Sequence, residues 1–147
     1  MRKLLTLWIA LVAITPCAAA EVRHTIDMGD ASPDRVVVMG LLCKGAGARS
    51  VSTNGIDLKR DVTTTSADET TELWSGAIPT GSGELTFSIS DCADPKTTFW
   101  RLGELKSASP ARRAIGPAAV NDLREDDCCL VRVYLGDSRP AVAAVYK

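Results

Sequence analysis

Short runs of β-branched and apolar residues recur along this chain, and each run ends at a cluster of Gly, Pro, Asn, Asp or Ser. The segment from Glu84 to Ser90 shows the pattern most clearly, because Leu85, Phe87 and Ile89 alternate with polar residues. A period of two is typical of a half-buried antiparallel strand. Since long amphipathic helical patterns are missing after residue 20, the sequence predicts an all-β fold.

The same pattern predicts further strands. Arg35 to Cys43 is apolar on both faces, which indicates a buried central strand, and Asn54-Gly55 indicates a tight hairpin. Thr63 to Thr71 is predicted to contain a polar loop, and Pro117 to Arg124 is the only helix candidate. The predicted strands are Val22 to Ile26, Arg35 to Cys43, Ser50 to Lys59, Thr70 to Ile78, Glu84 to Ser90, Thr97 to Leu105, Cys128 to Leu135 and Ala141 to Tyr146.

With about seven or eight such strands, we expect an antiparallel β-sandwich, either immunoglobulin-like or jelly-roll. A chain of 147 residues has room for one domain and one core. We therefore predict a single β-sandwich domain over residues 21–147. Its core is expected to contain inward-facing residues of the strands: Val37, Leu41, Phe87, Ile89, Trp100, Val131 and Val133.

Residues 1–20 have the three parts of a secretory signal peptide. Arg2 and Lys3 supply the positive start, Leu4 to Ile14 the apolar stretch, and Ala18-Ala19-Ala20 the cleavage site. We expect cleavage after Ala20, export to the periplasm or the outside of the cell, and no membrane span in the processed chain. The alternatives are an uncleaved membrane anchor and a lipid on Cys17.

Four cysteines remain after the signal segment: Cys43, Cys92, Cys128 and Cys129. In an oxidising compartment four cysteines indicate two disulfides, and the absence of a C-x2-C pair argues against zinc. If strand residues alternate regularly, Cys43 and Cys129 point inward while Cys92 and Cys128 point outward. This parity predicts the pairs Cys43–Cys129 and Cys92–Cys128, although a bend at Asp91 would reverse the assignment.

Chemistry-bearing motifs are sparse. Because 17 basic residues balance 18 acidic ones, we expect no nucleic-acid partner. The single histidine, His24, has no nucleophile motif around it, so we predict no catalytic residues, no metal and no cofactor. The alternative is a calcium site near Asp27 and Asp30. Trp74 is a possible ligand contact, since an exposed aromatic ring binds sugars or proteins, although filling the core is the commoner use.

The segment from Arg35 to Leu105, about half of the chain, resembles small β-sandwich domains of phage-encoded particle proteins and bacterial surface proteins. The resemblance lies in the apolar strand from Arg35 to Gly40, the S-V-x-x-x-G hairpin from Ser50 to Gly55, and Glu72-Leu73-Trp74 before Pro79-Thr80-Gly81. It continues in Leu85-Thr86-Phe87-Ser88 and Phe99-Trp100-Arg101-Leu102. The resemblance implies a sandwich fold and a binding or structural role without a shared catalytic motif.

Three functions fit these features. The first is an exported, disulfide-stabilised, non-enzymatic binding or structural module with a protein or glycan partner at the cell envelope. The second is a secreted inhibitor or immunity-type protein that inserts a loop, Thr63 to Thr71 or Ser107 to Asp127, into an envelope enzyme. The third is a small hydrolase with a carboxylate pair.

Overall fold

The structure is a computed structural model that describes residues 21–116, 124–135 and 139–147. These residues contain eleven strands and no helix, and every strand pair is antiparallel. The predicted signal segment, residues 1–20, lies outside the described residues. The strands are β1 (Glu21–Asp27), β2 (Val36–Lys44), β3 (Ser50–Thr53), β4 (Ile56–Asp57), β5 (Lys59–Ser66), β6 (Glu69–Ala77), β7 (Glu84–Ser90), β8 (Ala93–Leu102), β9 (Arg112–Ile115), β10 (Cys129–Leu135) and β11 (Arg139–Tyr146).

The strands form three sheets. Sheet A has the order β1-β7-β3-β4, sheet B the order β5-β6-β2-β8, and sheet C the order β10-β11-β9. A first hydrophobic core lies between sheets A and B, and a second core lies between sheets B and C. Sheets A and B therefore make the predicted antiparallel sandwich, while sheet C adds a third layer that the sequence did not predict. Sheet B is covered on both faces.

Strand β2 explains this layering. Val37, Met39 and Leu41 enter the first core, whereas Val36 and Val38 enter the second. A strand covered on both faces loses the polar half of its alternation and becomes a continuous apolar run. The prediction of a buried central strand is thus confirmed, but the prediction of one core is wrong, because this strand separates two.

Gly40 of β2 allows sheet C to approach sheet B. A Cβ atom at this position would lie 2.8 Å from Val133 Cγ2 of β10 and 3.1 Å from Trp100 Cζ3 of β8. Real Cβ atoms do not approach other heavy atoms as closely as the first of these distances. The glycine inside this apolar run is therefore a packing position between two layers rather than a turn.

The Asn54-Gly55 hairpin is confirmed. These two residues connect β3 to β4, and both have positive φ, 50° for Asn54 and 72° for Gly55. Two consecutive positive φ angles define the turn that matches the twist of a two-residue hairpin, and Asn and Gly adopt them at low cost.

Three local predictions differ from the structure. The predicted polar loop from Thr63 is instead the end of β5 and the start of β6, joined at Ala67 and Asp68. Strand β9 was not predicted, since Arg112 and Arg113 interrupt any apolar pattern there. The helix candidate from Pro117 falls almost wholly outside the described residues.

The predicted core residues are divided between the two cores. Val37, Leu41, Phe87 and Ile89 are buried in the first core, where the Phe87 ring lies 4.7 Å from the Phe99 ring. Val131 is buried in the second core. Trp100 and Val133 are partly buried and pack against the second core.

Candidate functional site

A buried disulfide joins Cys43 at the end of β2 to Cys92, with their Cα atoms 5.3 Å apart. It connects sheet B to the turn that follows β7 of sheet A. The predicted pairs Cys43–Cys129 and Cys92–Cys128 are therefore wrong. The reason is Asp91, whose φ of 54° bends the chain after β7 ends at Ser90, so that Cys92 does not continue the outward parity of that strand.

Cys128 and Cys129 are thiols in the structure. Cys128 is exposed and immediately precedes β10, whereas Cys129 is the first residue of β10 and packs against the second core. Burial, together with the neighbouring Cys128 thiol, raises the pKa of Cys129 to about 11. The two thiols are thus neighbours along the chain that differ in exposure.

Trp74 is not a ligand contact. Its residue is 4% exposed, and its indole Nε1 donates a 3.0 Å hydrogen bond to Glu72 Oε2. The guanidinium of Arg60 lies 5.7 Å from the ring centroid and closes the remaining side. A ring buried in this way adds packing and a satisfied N–H to the first core, but it leaves no face for a partner.

Glu72 is a fully buried carboxylate on β6, and its contacts are structural. Besides the indole of Trp74, Oε2 accepts the backbone N–H of Ala48 at 3.1 Å, and Oε1 lies 3.2 Å from Arg60 Nη1. A Cβ at Gly47 would lie 2.3 Å from Oε1, so the loop before β3 closes over the carboxylate. Glu72 therefore connects β6, β5 and this loop.

Asp61 of β5 is the second buried carboxylate and lies on the other face of sheet B. Its Oδ2 accepts hydrogen bonds from Ser75 Oγ and, at 3.0 Å, from the hydroxyl of Tyr146 in sheet C. Its Oδ1 accepts no hydrogen bond within the described residues, and Arg113 Nη2 stands 3.9 Å away. Burial raises the pKa of Asp61, against the opposing effects of Ser75, Tyr146 and Arg113. This cluster connects sheets B and C.

The raised pKa of Asp61 predicts a pH-dependent stability. A group whose pKa is higher in the folded than in the unfolded chain stabilises the fold at low pH and loses this effect as pH rises through the folded value. Ionisation of Asp61 should therefore lower the unfolding free energy as pH rises above about 3.9, which is the ordinary pKa of an aspartate. Urea denaturation at pH values below and above this pKa should show that the unfolding free energy of the wild type falls relative to that of Asp61→Asn. The asparagine keeps the shape of the side chain but does not ionise.

The wild type must be compared with Asp61→Asn because other carboxylates make the unfolding free energy rise, rather than fall, with increasing pH. Hydrogen bonds from Ser32 and from the backbone lower the pKa of Asp34, and those from Arg124 and Arg112 lower the pKa of Asp127. The difference between wild type and variant removes these shared effects. Asp57→Asn, which removes an exposed carboxylate on β4, is the matched control. The difference in unfolding free energy between the wild type and this variant should stay near zero. A difference for Asp61→Asn that does not change with pH would contradict the prediction.

The calcium alternative gains no support from the acidic residues near the end of β1. Asp27 Oδ1 accepts the backbone N–H of Gly29 at 2.8 Å, and Asp34 binds Ser32 and the backbone N–H of Glu104. No group of three or more His, Cys, Asp or Glu side chains converges within the described ranges. Asp27 thus stabilises its own turn, whereas Asp34 connects its turn to the segment that follows β8.

Strand β8 forms one edge of sheet B, and its outer side pairs with no other strand among the described residues. It is ten residues long, and neighbouring side chains lie on opposite faces. Phe99 packs at the rim of the first core, whereas Trp100 and Leu102 pack at the rim of the second, and all three remain partly exposed. The edge therefore presents backbone hydrogen-bonding groups flanked by apolar surface on both sides.

A groove of about 280 Å³ lies beside this edge. It is lined by residues 40–42 of β2, residues 96–98 of β8 and Val133 of β10. Leu42 points to the face that sheet C covers, but it is only partly buried. The groove is thus the end of the second core that sheet C leaves open.

Protection of the β8 edge is confined to its two ends. Pro95 and Lys96 lie near its start, and proline and lysine on an edge strand oppose the addition of another strand. At the other end, Arg101 turns away and donates hydrogen bonds of 2.9 Å to the carbonyl oxygens of Met28 and Asp30. Residues 97–100 between them carry no charge. We call residues 97–100 and the groove the β8 edge site.

The chain matches no family model, no curated protein and no solved structure. The resemblance to phage-encoded and surface β-sandwich domains therefore stays a prediction. In the part of the chain that the structure describes, no helix is long and apolar enough to cross a membrane.

The sequence predicts a strand over most of β8 but not the β8 edge site. A strand's position at a sheet edge depends on which partners it finds, and these are distant in sequence. Pro95 followed by Lys96 was the one available signal, because prolines within sheets occur on edge strands.

Proposed function

We propose that this protein is an exported, non-enzymatic binding module that binds an extended segment of a partner protein at the β8 edge site. The observation that carries the proposal is the partly exposed rim of two hydrophobic cores on either side of a strand edge that pairs with no other described strand. An added strand would pair its backbone with residues 97–100 and cover Phe99 on one face and Trp100 on the other. This mode of recognition needs no catalytic residue.

A protein segment fits this site better than a glycan. The edge offers alternating backbone donors and acceptors, which another extended backbone pairs in regular register. The groove beside it, with Leu42 and Val133 in its wall, would take one apolar side chain of the added strand. Glycan binding usually requires a fully exposed aromatic face, whereas Trp74 is buried and the partly exposed rings of Phe99 and Trp100 pack against the two cores.

The buried carboxylates support a non-enzymatic role. Glu72 and Asp61 lie on opposite faces of sheet B, so they cannot act together on one bound substrate. Each is held by groups from several strands or loops, which is what a structural ion or hydrogen-bond cluster requires. Export is supported by the signal pattern of residues 1–20 and by a disulfide of a kind that persists in oxidising compartments.

The experiment selects binding peptides from a library of extended random peptides and maps their contacts by amide hydrogen exchange on the full-length chain. Peptides that bind at the β8 edge site should slow exchange in residues 97–100. Thr98→Lys places a charge at the open edge and should weaken their binding about tenfold or more, since a charged edge opposes strand addition.

Thr86→Lys is the matched control. Thr86 is also an exposed threonine in mid-strand, but β7 is paired on both sides. It should leave the peptide affinity unchanged. Peptides that slow amide exchange at another strand edge, or that bind Thr98→Lys and Thr86→Lys with equal affinity, would contradict binding at the β8 edge site. Hydrolysis of an ester, glycoside or phosphoester that Asp61→Asn or Glu72→Gln abolishes would contradict the non-enzymatic role.

A further inference from the structure

The two cysteines outside the disulfide are adjacent in the chain, at the point where β10 begins. Neighbouring residues within a strand point to opposite faces, which would separate their sulfur atoms. Cys128, however, lies before the first residue of β10, and its backbone N–H donates a 2.8 Å hydrogen bond to the carbonyl oxygen of Tyr146. Cys128 therefore lies outside the strand to which the alternation applies, and its thiol is near enough to Cys129 to raise the pKa of that group.

The pair is also asymmetric. Cys128 is exposed to solvent, whereas Cys129 is partly buried and packs against the second core. A disulfide in solution can therefore reach Cys128 first, and Cys129 is the next residue along the chain from the sulfur that would be modified. This arrangement of an attacking and a resolving thiol is that of thiol–disulfide exchange.

We propose that Cys128 and Cys129 form a redox-active dithiol site that exchanges with disulfides and closes reversibly into a vicinal disulfide. The Cys128 thiolate attacks one sulfur of a disulfide RSSR, so that a Cys128–SR bond forms and one RS⁻ leaves. Cys129, after losing its proton to water, attacks the Cys128 sulfur, and the second RS⁻ leaves. The protein is oxidised by two electrons, and one RSSR is reduced to two RSH.

The ring should open again readily. Adjacent Cα atoms across a trans peptide are about 3.8 Å apart, which is below the separation of about 4.4–6.8 Å that disulfides usually span. Strained and exposed disulfides are the easily reduced ones. The Cys43–Cys92 bond has a Cα separation of 5.3 Å and is buried, so the two bonds should respond to reductant at different concentrations.

The test uses the full-length chain with the change Cys17→Ser, which removes the remaining cysteine of the sequence, and with Cys43–Cys92 oxidised and Cys128 and Cys129 reduced; oxidised glutathione is the probe. Trypsin releases both reactive cysteines in one peptide, residues 125–132, because Arg124 and Arg132 flank it. We expect this peptide to lose two hydrogen atoms, and each chain to release two reduced glutathione molecules. Adding reduced glutathione should reopen the ring while residues 36–44 stay linked to residues 61–96.

Two variants isolate the steps. Cys129→Ser should stop at one glutathione released per chain and keep a glutathionyl group on Cys128. Cys128→Ser should react much more slowly, because the remaining thiol is partly buried. A wild-type chain that stays glutathionylated at Cys128, that forms disulfide-linked dimers, or that does not react would overturn the proposal.

Discussion

Removal of the Cys43–Cys92 disulfide by the double change Cys43→Ala and Cys92→Ala should lower the unfolding free energy by about 4 kcal/mol. The bond closes a loop with a sequence separation of 49 residues, and the chain-entropy estimate for a loop of that length is about 4 kcal/mol. Domains of this size have roughly 5–15 kcal/mol of stability, so the variant should unfold at a much lower urea concentration. Equilibrium urea denaturation measures the loss.

The double variant Cys128→Ser and Cys129→Ser is the control for this measurement. It removes the same number of sulfur atoms but keeps the loop closed between Cys43 and Cys92. We expect its urea midpoint to stay close to that of the wild type. A loss of less than about 1 kcal/mol on removing the disulfide would show that the unfolded chain gains little freedom from it.

Replacement of Arg35 by Met should cost about 3 kcal/mol of unfolding free energy. The Arg35 side chain is fully buried, and its four hydrogen bonds all go to backbone carbonyl oxygens. Nε binds Ile78 at 2.7 Å, Nη1 binds Gly29 at 2.8 Å and Ser82 at 3.1 Å, and Nη2 binds Thr80 at 2.8 Å. Hydrogen bonds to a charged group contribute about 1.5–3 kcal/mol each, although carbonyls near the surface regain part of this from water.

Arg35→Lys separates the effect of the charge from that of the planar donor arrangement. A lysine keeps the positive charge, but its single ammonium group cannot reach carbonyls that lie around an extended guanidinium. We expect it to recover only a part of the loss, as measured by urea denaturation. Faster amide exchange around residues 78–82 in Arg35→Met should accompany the loss. Equal stability of Arg35→Met and wild type would mean that water replaces the guanidinium at no cost.

Predictions from the local sequence pattern were correct where that pattern itself makes the segment a strand. Residues Glu84 to Ser90 alternate because one face of β7 is buried, and the predicted bounds agree with the strand. Strands β5 and β9 were missed for the opposite reason. Their polar residues carry no apolar alternation, and they become strands by pairing with β6 and β11. Such pairing is a long-range property.

The β8 edge site likewise combines features that the sequence predicts with features that depend on long-range pairing. The sequence predicts that Phe99 and Trp100 lie in a strand, but their exposure at an edge depends on long-range pairing. Among the described strands, β8 pairs with β2 alone, and the described part of sheet C leaves Leu42 partly uncovered. The size of Trp74 alone suits either a surface or a core position. Its burial follows from Glu72, which supplies the acceptor that an indole N–H needs inside a core.

The sequence by itself determined the all-β class, the buried central strand and the Asn54-Gly55 hairpin, because side-chain periodicity and φ preferences act within a few residues. Only the tertiary structure decided the third layer, the strand at the edge of sheet B and the partner of Cys43. A single positive φ at Asp91 turns Cys92 toward Cys43. Strand parity ends at such a bend, and beyond it the pairing of distant segments decides which side chains meet.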